Sequence, residues 1–97
     1  MEKMKDGSIA PSLKGGLGLE GVIEKQLPLD EYGQPSWVVR ISHVYFGADQ
    51  LDGDRITVIS PTIRGGGITL KTGETYRMYI VRLNGRFYIW NGSVVSL

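Results

Sequence analysis

The sequence predicts an all-β fold, a small five-stranded antiparallel barrel, and three observations lead to this prediction. Two runs of aromatic and β-branched residues, 75–83 and 86–90, flank Asn84-Gly85, which is the strongest short-range signal for a β-hairpin. Fourteen glycines against four prolines indicate many tight turns between short strands. Apolar residues show no sustained helical period in any segment.

Composition bounds the class of protein further. A chain of 97 residues with 41% hydrophobic residues is expected to form one globular domain. Eleven basic and ten acidic residues leave a net charge of +1, which gives no electrostatic footprint for nucleic acid or for an acidic membrane. The absence of cysteine excludes disulfides, a cysteine nucleophile and thiolate metal ligands.

Residues 1–18 are expected to form a flexible tail or linker, and residues 19–97 the domain. The tail is charged at first and then rich in glycine and serine, a composition typical of linkers. Its first eight residues lack the apolar core of a signal peptide, and the sequence contains no membrane-spanning run. If the protein is secreted, we expect its leader to lie outside this sequence.

A shorter strand is predicted before the long second strand, and another one after it. The first covers residues 19–27 and ends at Pro28, before a loop of turn-forming residues at 30–35. The third strand, residues 55–60, is rich in β-branched residues and ends at Pro61.

The long second strand, residues 36–46, requires a bulge. Val44 has the opposite parity to three apolar residues that precede it on one face of the strand, Trp37, Val39 and Ile41. A bulge near Ser42-His43 would return Val44 to the inner face and would bend the strand around a small barrel.

The closing hairpin supplies strands four and five and presents two different faces. Its two-residue turn places Val81 opposite Tyr88 and Tyr79 opposite Trp90. One face is almost free of polar atoms and is the predicted barrel lining: Met78, Ile80, Phe87 and Ile89. The other face carries Val81 and the candidate binding residues Tyr79, Tyr88 and Trp90.

Two interpretations of this aromatic face are open at this stage. In the first, the N-terminal tail or the apolar C-terminal residues Val94, Val95 and Leu97 lie over the face as a cover. In the second, the face is an exposed binding surface, because Tyr and Trp combine a large contact area with a polar tip.

Five short strands in fewer than one hundred residues fit a small closed or partly open barrel of the OB type better than a two-sheet sandwich. Short motifs follow one another along residues 19–97 in a consistent order: Gly21-Val22-Ile23-Glu24-Lys25, Asp30-Glu31-Tyr32-Gly33-Gln34-Pro35, Val44-Tyr45-Phe46-Gly47, Ile56-Thr57-Val58-Ile59-Ser60-Pro61, Gly67-Ile68-Thr69-Leu70 and Gly73-Glu74-Thr75-Tyr76. In order and spacing they resemble the netrin-like domain, the OB-fold module shared with the tissue inhibitors of metalloproteinases. The resemblance implies an OB-type fold, an extracellular location and a protein or matrix partner.

The chain also departs from that family's pattern. Gly66 and Asn91 stand near the positions where the family has a bridging pair of cysteines, so closure of the barrel must rest on packing and backbone pairing. The family's inhibitors chelate the protease zinc through a cysteine at the mature N-terminus, and this chain has none. The resemblance therefore implies the fold and argues against the usual inhibitory mechanism.

Residues with catalytic or metal-binding chemistry are sparse. His43 is the only histidine and is expected on a strand surface, and Asp49, Asp52 and Asp54 lack the spacing of a calcium loop and are expected in a solvated turn. Residues 64–67 are glycine-rich without the Lys-Ser/Thr ending of a phosphate loop, so they are expected to connect two strands. We expect no enzymatic activity, no cofactor and no metal. Asn91 begins a glycosylation sequon, which matters only if the chain is secreted.

Three functions are compatible with these observations. The leading hypothesis is a non-catalytic module that binds a protein or matrix partner through the barrel edge, the loops or the aromatic face. The second is a protease inhibitor that acts without the usual N-terminal cysteine. The third is an OB-fold reader of single-stranded nucleic acid that stacks bases on Tyr79, Tyr88 and Trp90. Arg77, Arg82 and Arg86 lie in the same hairpin and support this hypothesis, whereas the near-zero net charge weighs against it.

Overall fold

The computed structural model describes residues 16–61, 69–90 and 93–97. These ranges contain six strands and one 3₁₀ turn, and no helix in them is long and apolar enough to span a membrane. The elements in chain order are β1 (Gly16–Leu27), β2 (Ser36–Phe46), the 3₁₀ turn (Ala48–Gln50), β3 (Arg55–Ile59), β4 (Thr75–Leu83), β5 (Arg86–Ile89) and β6 (Val95–Ser96).

Five of these strands close into a barrel of the predicted OB type. The order is β1-β2-β3-β5-β4, and β4 pairs back onto β1. Four of the five pairings are antiparallel, but β3 and β5 are parallel, with Val58 beside Phe87 and Ile59 beside Tyr88. The predicted five-stranded barrel is therefore confirmed, and the β3–β5 pairing departs from the predicted antiparallel arrangement. Strand directions cannot alternate around a closed ring with an odd number of members, so one pair must be parallel.

The first strand begins at Gly16, three residues before the predicted boundary at Leu19. Gly16, Leu17 and Gly18 pair with Val81, Ile80 and Tyr79 of β4, and Leu17 is 1% exposed. These three residues therefore belong to the barrel and not to the predicted tail of residues 1–18. Glycine has a low β-propensity, which concealed the strand in the sequence. Residues 1–15 lie outside the described ranges.

The bulge predicted in β2 is confirmed. Gly21 pairs with Ile41 whereas Glu20 pairs with His43, so that Ser42 is the extra residue. Val44 consequently packs against the core, as the parity argument required.

The barrel interior holds the core, and the predicted lining face of the hairpin is confirmed. Met78, Ile80 and Ile89 are at most 1% exposed, and Phe87 packs against them at partial burial. The remaining buried apolar side chains come from β1, β2, β3 and β4 and from the segment before β4: Leu17, Leu19, Ile23, Trp37, Val39, Ile56, Val58, Leu70 and Tyr76.

A close backbone approach fixes the turn after β2 against the start of β1. Gly47 has φ 85°, and a Cβ there would lie 2.5 Å from the carbonyl oxygen of Gly16 and 2.9 Å from the Cα of Leu17. The Gln50 side-chain amide donates to the same Gly16 oxygen at 2.7 Å. Glycine is required at position 47 both for the positive φ and for the contact.

Candidate binding surface on the barrel exterior

The hairpin register is the predicted one and places the candidate residues on one outward face. Asn84 and Gly85 have φ values of 52° and 76°, as a type I′ turn requires. Val81 pairs with Tyr88, and the Trp90 N–H donates to the Tyr79 carbonyl at 2.8 Å.

Two of the three candidate side chains are open to solvent. Tyr79 is 40% exposed and Trp90 is 46% exposed, while Tyr88 is half-buried. We call the outward face that carries Phe46, Tyr79, Val81, Tyr88 and Trp90 the aromatic surface.

The C-terminal residues do not cover the aromatic surface. Val94 packs against the core, and Val95 and Ser96 extend the sheet by pairing with Arg77 and Tyr76 at the start of β4. Of the two covers considered above, the C-terminal one is therefore excluded, and the N-terminal one rests on residues 1–15, outside the described ranges.

Ser93 carries the chain from β5 into β6. Its hydroxyl accepts from the Tyr79 N–H at 2.9 Å and donates to the Trp90 carbonyl at 2.6 Å. The Ser93 side chain therefore takes the place of a direct backbone hydrogen bond from Tyr79 to Trp90. Tyr79 and Trp90 are thereby linked through Ser93 as well as directly, and this holds the backbone beneath their two side chains in register.

Phe46 is the member of the aromatic surface that sequence reasoning missed. Gly18 pairs with Phe46 on one side and with Tyr79 on the other. A Cβ at Gly18 would lie 2.5 Å from the Phe46 ring, so the absent side chain lets the ring cover the strand and reach Tyr79, with ring centroids 5.4 Å apart in an edge-to-face arrangement. Gly18 was the only sign of this contact in the sequence. Its role could not be recognised there, because it depends on strand neighbours that lie 28 and 61 residues further along the chain.

A polar cluster borders the aromatic surface at one end. The Tyr45 hydroxyl donates to the Glu20 carboxylate, and His43 contacts the Tyr45 ring edge-on at a centroid distance of 4.6 Å. The hydrogen bond to Glu20 is the main cause that raises the pKa of the Tyr45 phenol above its ordinary value of 10.0, and partial desolvation adds to it, whereas Arg77 acts in the opposite direction. This cluster gives the aromatic surface a hydrogen-bonding rim.

The arginines near the hairpin do not form one basic patch. Arg77 shares the outward face with Tyr79, but it lies opposite the acidic residue Glu20 of the neighbouring strand β1. Arg82 has the opposite parity, and its Cζ lies 5.6 Å from the centroid of the Phe87 ring. A nucleic-acid surface needs several cations along one track, whereas Arg77 lies beside an acidic residue and Arg82 has the opposite parity, which leaves Arg86 at the hairpin turn.

The other candidate residues that the structure describes are not grouped into a metal site. Among the described residues, no three His, Cys, Asp or Glu side chains are grouped as metal ligands. Asp54 contacts the neighbouring Arg55 at 3.3 Å, and His43 lies on the strand exterior beside Tyr45. The glycine-rich residues 64–67 and the sequon residue Asn91 lie outside the described ranges.

The loop between β1 and β2 is a second exposed feature. The Asp30 carboxylate accepts from the N–H groups of Tyr32 and Gln34 at 2.9 and 2.8 Å, and Gly33 has φ 74°. This network fixes a tight loop from which Tyr32 and Leu29 project, 70% and 63% exposed.

Comparisons of this chain with protein-family models, with curated proteins and with solved structures give no match. The resemblance of its motifs to the netrin-like domain stays a prediction.

Proposed function

We propose that this chain is a non-catalytic module of netrin-like type that binds a protein or extracellular-matrix partner through the aromatic surface. The observation that carries the proposal is the direct pairing of Tyr79 with Trp90, both with large exposed aromatic side chains, on a hydrogen-bonded sheet. Aromatic residues of this kind dominate the binding energy of protein interfaces because they bury much apolar area and lose little conformational entropy.

The supporting geometry extends over neighbouring strands. Phe46, Tyr79 and Trp90 follow one another across β2, β1, β4 and the end of β5, with only the bare backbone of Gly18 between the first two. The half-buried Tyr88 and Val81 continue the surface toward the hairpin turn. Contiguous exposed apolar area on a small domain is typical of an interaction site.

Photo-crosslinking tests the proposal. A benzophenone amino acid replaces Trp90 in one protein and Tyr32 in a matched control, which is aromatic and 70% exposed but lies on a different loop. Both proteins are incubated with an extract and with extracellular matrix of the source organism, and crosslinked partners are identified by mass spectrometry. We expect a saturable partner that is captured from position 90 and not from position 32.

The captured partner is then titrated against the unmodified chain and two variants. Trp90→Ala is expected to weaken binding at least tenfold, because hot-spot aromatic side chains contribute 2 kcal/mol or more, on the order of one to two factors of ten. Tyr32→Ala should bind like the parent chain. Equal affinity of the Trp90→Ala variant, with folding verified by circular dichroism, would overturn the proposal.

Protease inhibition through the β1–β2 loop is a second candidate. The observation that favours it is the Asp30 network, which presents Tyr32 and Leu29 on a fixed loop as substrate-like inhibitors do. Inhibition assays against a panel of zinc proteases, with the parent chain, a Tyr32→Ala variant and a chain that lacks residues 1–15, decide this candidate. No inhibition by any of the three would remove it.

A further inference from the structure

A slot opens in the barrel between β3 and the turn of the β4–β5 hairpin. Its volume is about 370 Å³. We call its apolar lining residues, which include Leu51, Ile56 and Phe87, the floor. Asp52 and Arg55 line the wall formed by β3 and the residues before it, and Arg86 lines the wall formed by the hairpin. None of Tyr79, Tyr88 and Trp90 lines it, so the slot is separate from the three candidate residues of the aromatic surface.

The slot exposes one edge of a strand. On its inner side β3 pairs with β2 along its whole length, Arg55–Ile59. On its outer side it pairs with β5 only at Val58 and Ile59. Among the described residues, no strand is therefore paired with the outer edge of positions 55–57, a length of about 10 Å at 3.3 Å per residue.

The two walls differ in the state of their charges. Arg55 Nε lies 2.7 Å from Glu24 Oε1 and its Nη1 lies 3.3 Å from Asp54, so its charge is already balanced. Arg86 is exposed and has no ion pair or hydrogen bond with any described residue. Among the described residues that line the slot, the cation without an ion pair is therefore Arg86, on the hairpin side.

We propose that the slot accepts an extended peptide segment of a partner protein, which adds as a strand to the outer edge of β3, lays an apolar side chain on the floor and pairs an acidic side chain with Arg86. Strand addition suits this place because the edge supplies backbone donors and acceptors while the floor and Arg86 select side chains. The acidic residue is specified by charge complementarity with Arg86, and it is placed on the hairpin side because Asp52, which also lines the slot, would repel it.

A selection from a library of random 12-residue peptides displayed on phage, with the full chain as bait, tests this inference. We expect the selected peptides to share an acidic residue near an apolar one. For a synthetic peptide of that sequence, Arg86→Glu should weaken binding at least tenfold. Arg77→Glu makes the same change of charge outside the slot, and Trp90→Ala alters the aromatic surface; both should leave the affinity within twofold.

Methylation of the peptide backbone separates strand addition from other modes of binding. In a β-pair only every second residue directs its N–H toward the neighbouring strand. N-methylation along the peptide should therefore abolish binding at alternate positions and be tolerated between them. Selection of no peptide, affinity that is insensitive to Arg86→Glu, or a methylation profile without this alternation would each overturn the inference. Peptides that respond to Trp90→Ala alone would do the same and would instead support the aromatic surface as the site.

Discussion

The backbone N–H of Trp90 donates a 2.8 Å hydrogen bond to the carbonyl oxygen of Tyr79. This bond places two exposed aromatic side chains opposite each other on neighbouring antiparallel strands. Directly opposite side chains in such pairs lie about 5 Å apart at Cβ, so a partner meets both rings at once. The pairing is made by backbone hydrogen bonding within the sheet, so both side chains are held next to each other by the fold itself.

The two tryptophans report separately on the core and on the aromatic surface. Trp37 is 1% exposed and Trp90 is 46% exposed. We expect acrylamide to quench about half of the tryptophan fluorescence readily, and a Trp90→Phe variant to be almost unquenched, because only Trp37 then remains.

The same measurement decides whether residues 1–15 cover the aromatic surface. Since Trp90 is exposed, we expect removal of residues 1–15 to leave its quenching constant unchanged. Unfolded protein in urea provides the reference for full access. A quenching constant that rises when these residues are removed would show that they shield Trp90, in favour of the cover interpretation.

Ser93 stabilises the pairing of Tyr79 in β4 with Trp90 at the end of β5. Ser93→Ala removes the acceptor of the Tyr79 N–H, and we expect a loss of about 1 kcal/mol in the free energy of unfolding, the usual net value of one hydrogen bond. Urea denaturation measures this loss, and faster hydrogen exchange of the Tyr79 amide locates it.

Ser96→Ala is the matched control for that variant. Ser96 lies in β6, and its hydroxyl has no hydrogen bond to another described residue. Its replacement should change stability by less than about 0.5 kcal/mol. If the two variants behaved alike, the bridging role of Ser93 would be contradicted.

The hairpin was predictable because its signals are local. The Asn84-Gly85 turn sets the register, and the alternation of side chains then assigns each face, which is why Met78 and Ile80 were placed in the core from sequence alone. The bulge at Ser42 followed from parity in the same way.

Other features depend on contacts between distant residues and were not accessible from the sequence. Gly18 has no recognisable role in the sequence until Phe46 is known to lie across it. The slot exists because β3 and β5 pair at only two positions, and no local pattern encodes where that pairing stops. The exposure of Tyr79 depends on which segments pass over it, which is again a tertiary property.

Two glycines with positive φ provide a matched pair for backbone strain. Gly33 has φ 74° and open space around it, whereas Gly47 has φ 85° and lies against the backbone of β1. Gly33→Ala should cost about 1 kcal/mol for the left-handed conformation. Gly47→Ala should cost a further 1–3 kcal/mol, roughly the range for an overpacked contact.

Chemical denaturation of both glycine variants measures the difference. The Gly47→Ala variant is also expected to show faster hydrogen exchange at Gln50 and Leu51, because the turn is displaced from Gly16. Equal destabilisation by the two substitutions would mean that the close contact of Gly47 with β1 does not contribute to the free energy of unfolding.

The Tyr45 phenol is expected to ionise at a higher pH than an ordinary tyrosine does. Its folded-state pKa is raised above 10.0, mainly by the hydrogen bond to Glu20, so the neutral phenol is favoured by folding. The stabilisation is fully present below pH 10, the unfolded value, and is lost as the pH rises through the folded-state pKa. Absorbance at about 295 nm, where tyrosinate absorbs, follows the ionisation, and Tyr45→Phe should delete a step that lies above the unfolded value. Glu20→Ala should move that step back toward pH 10, whereas a deleted step at or below pH 10 would contradict the assignment.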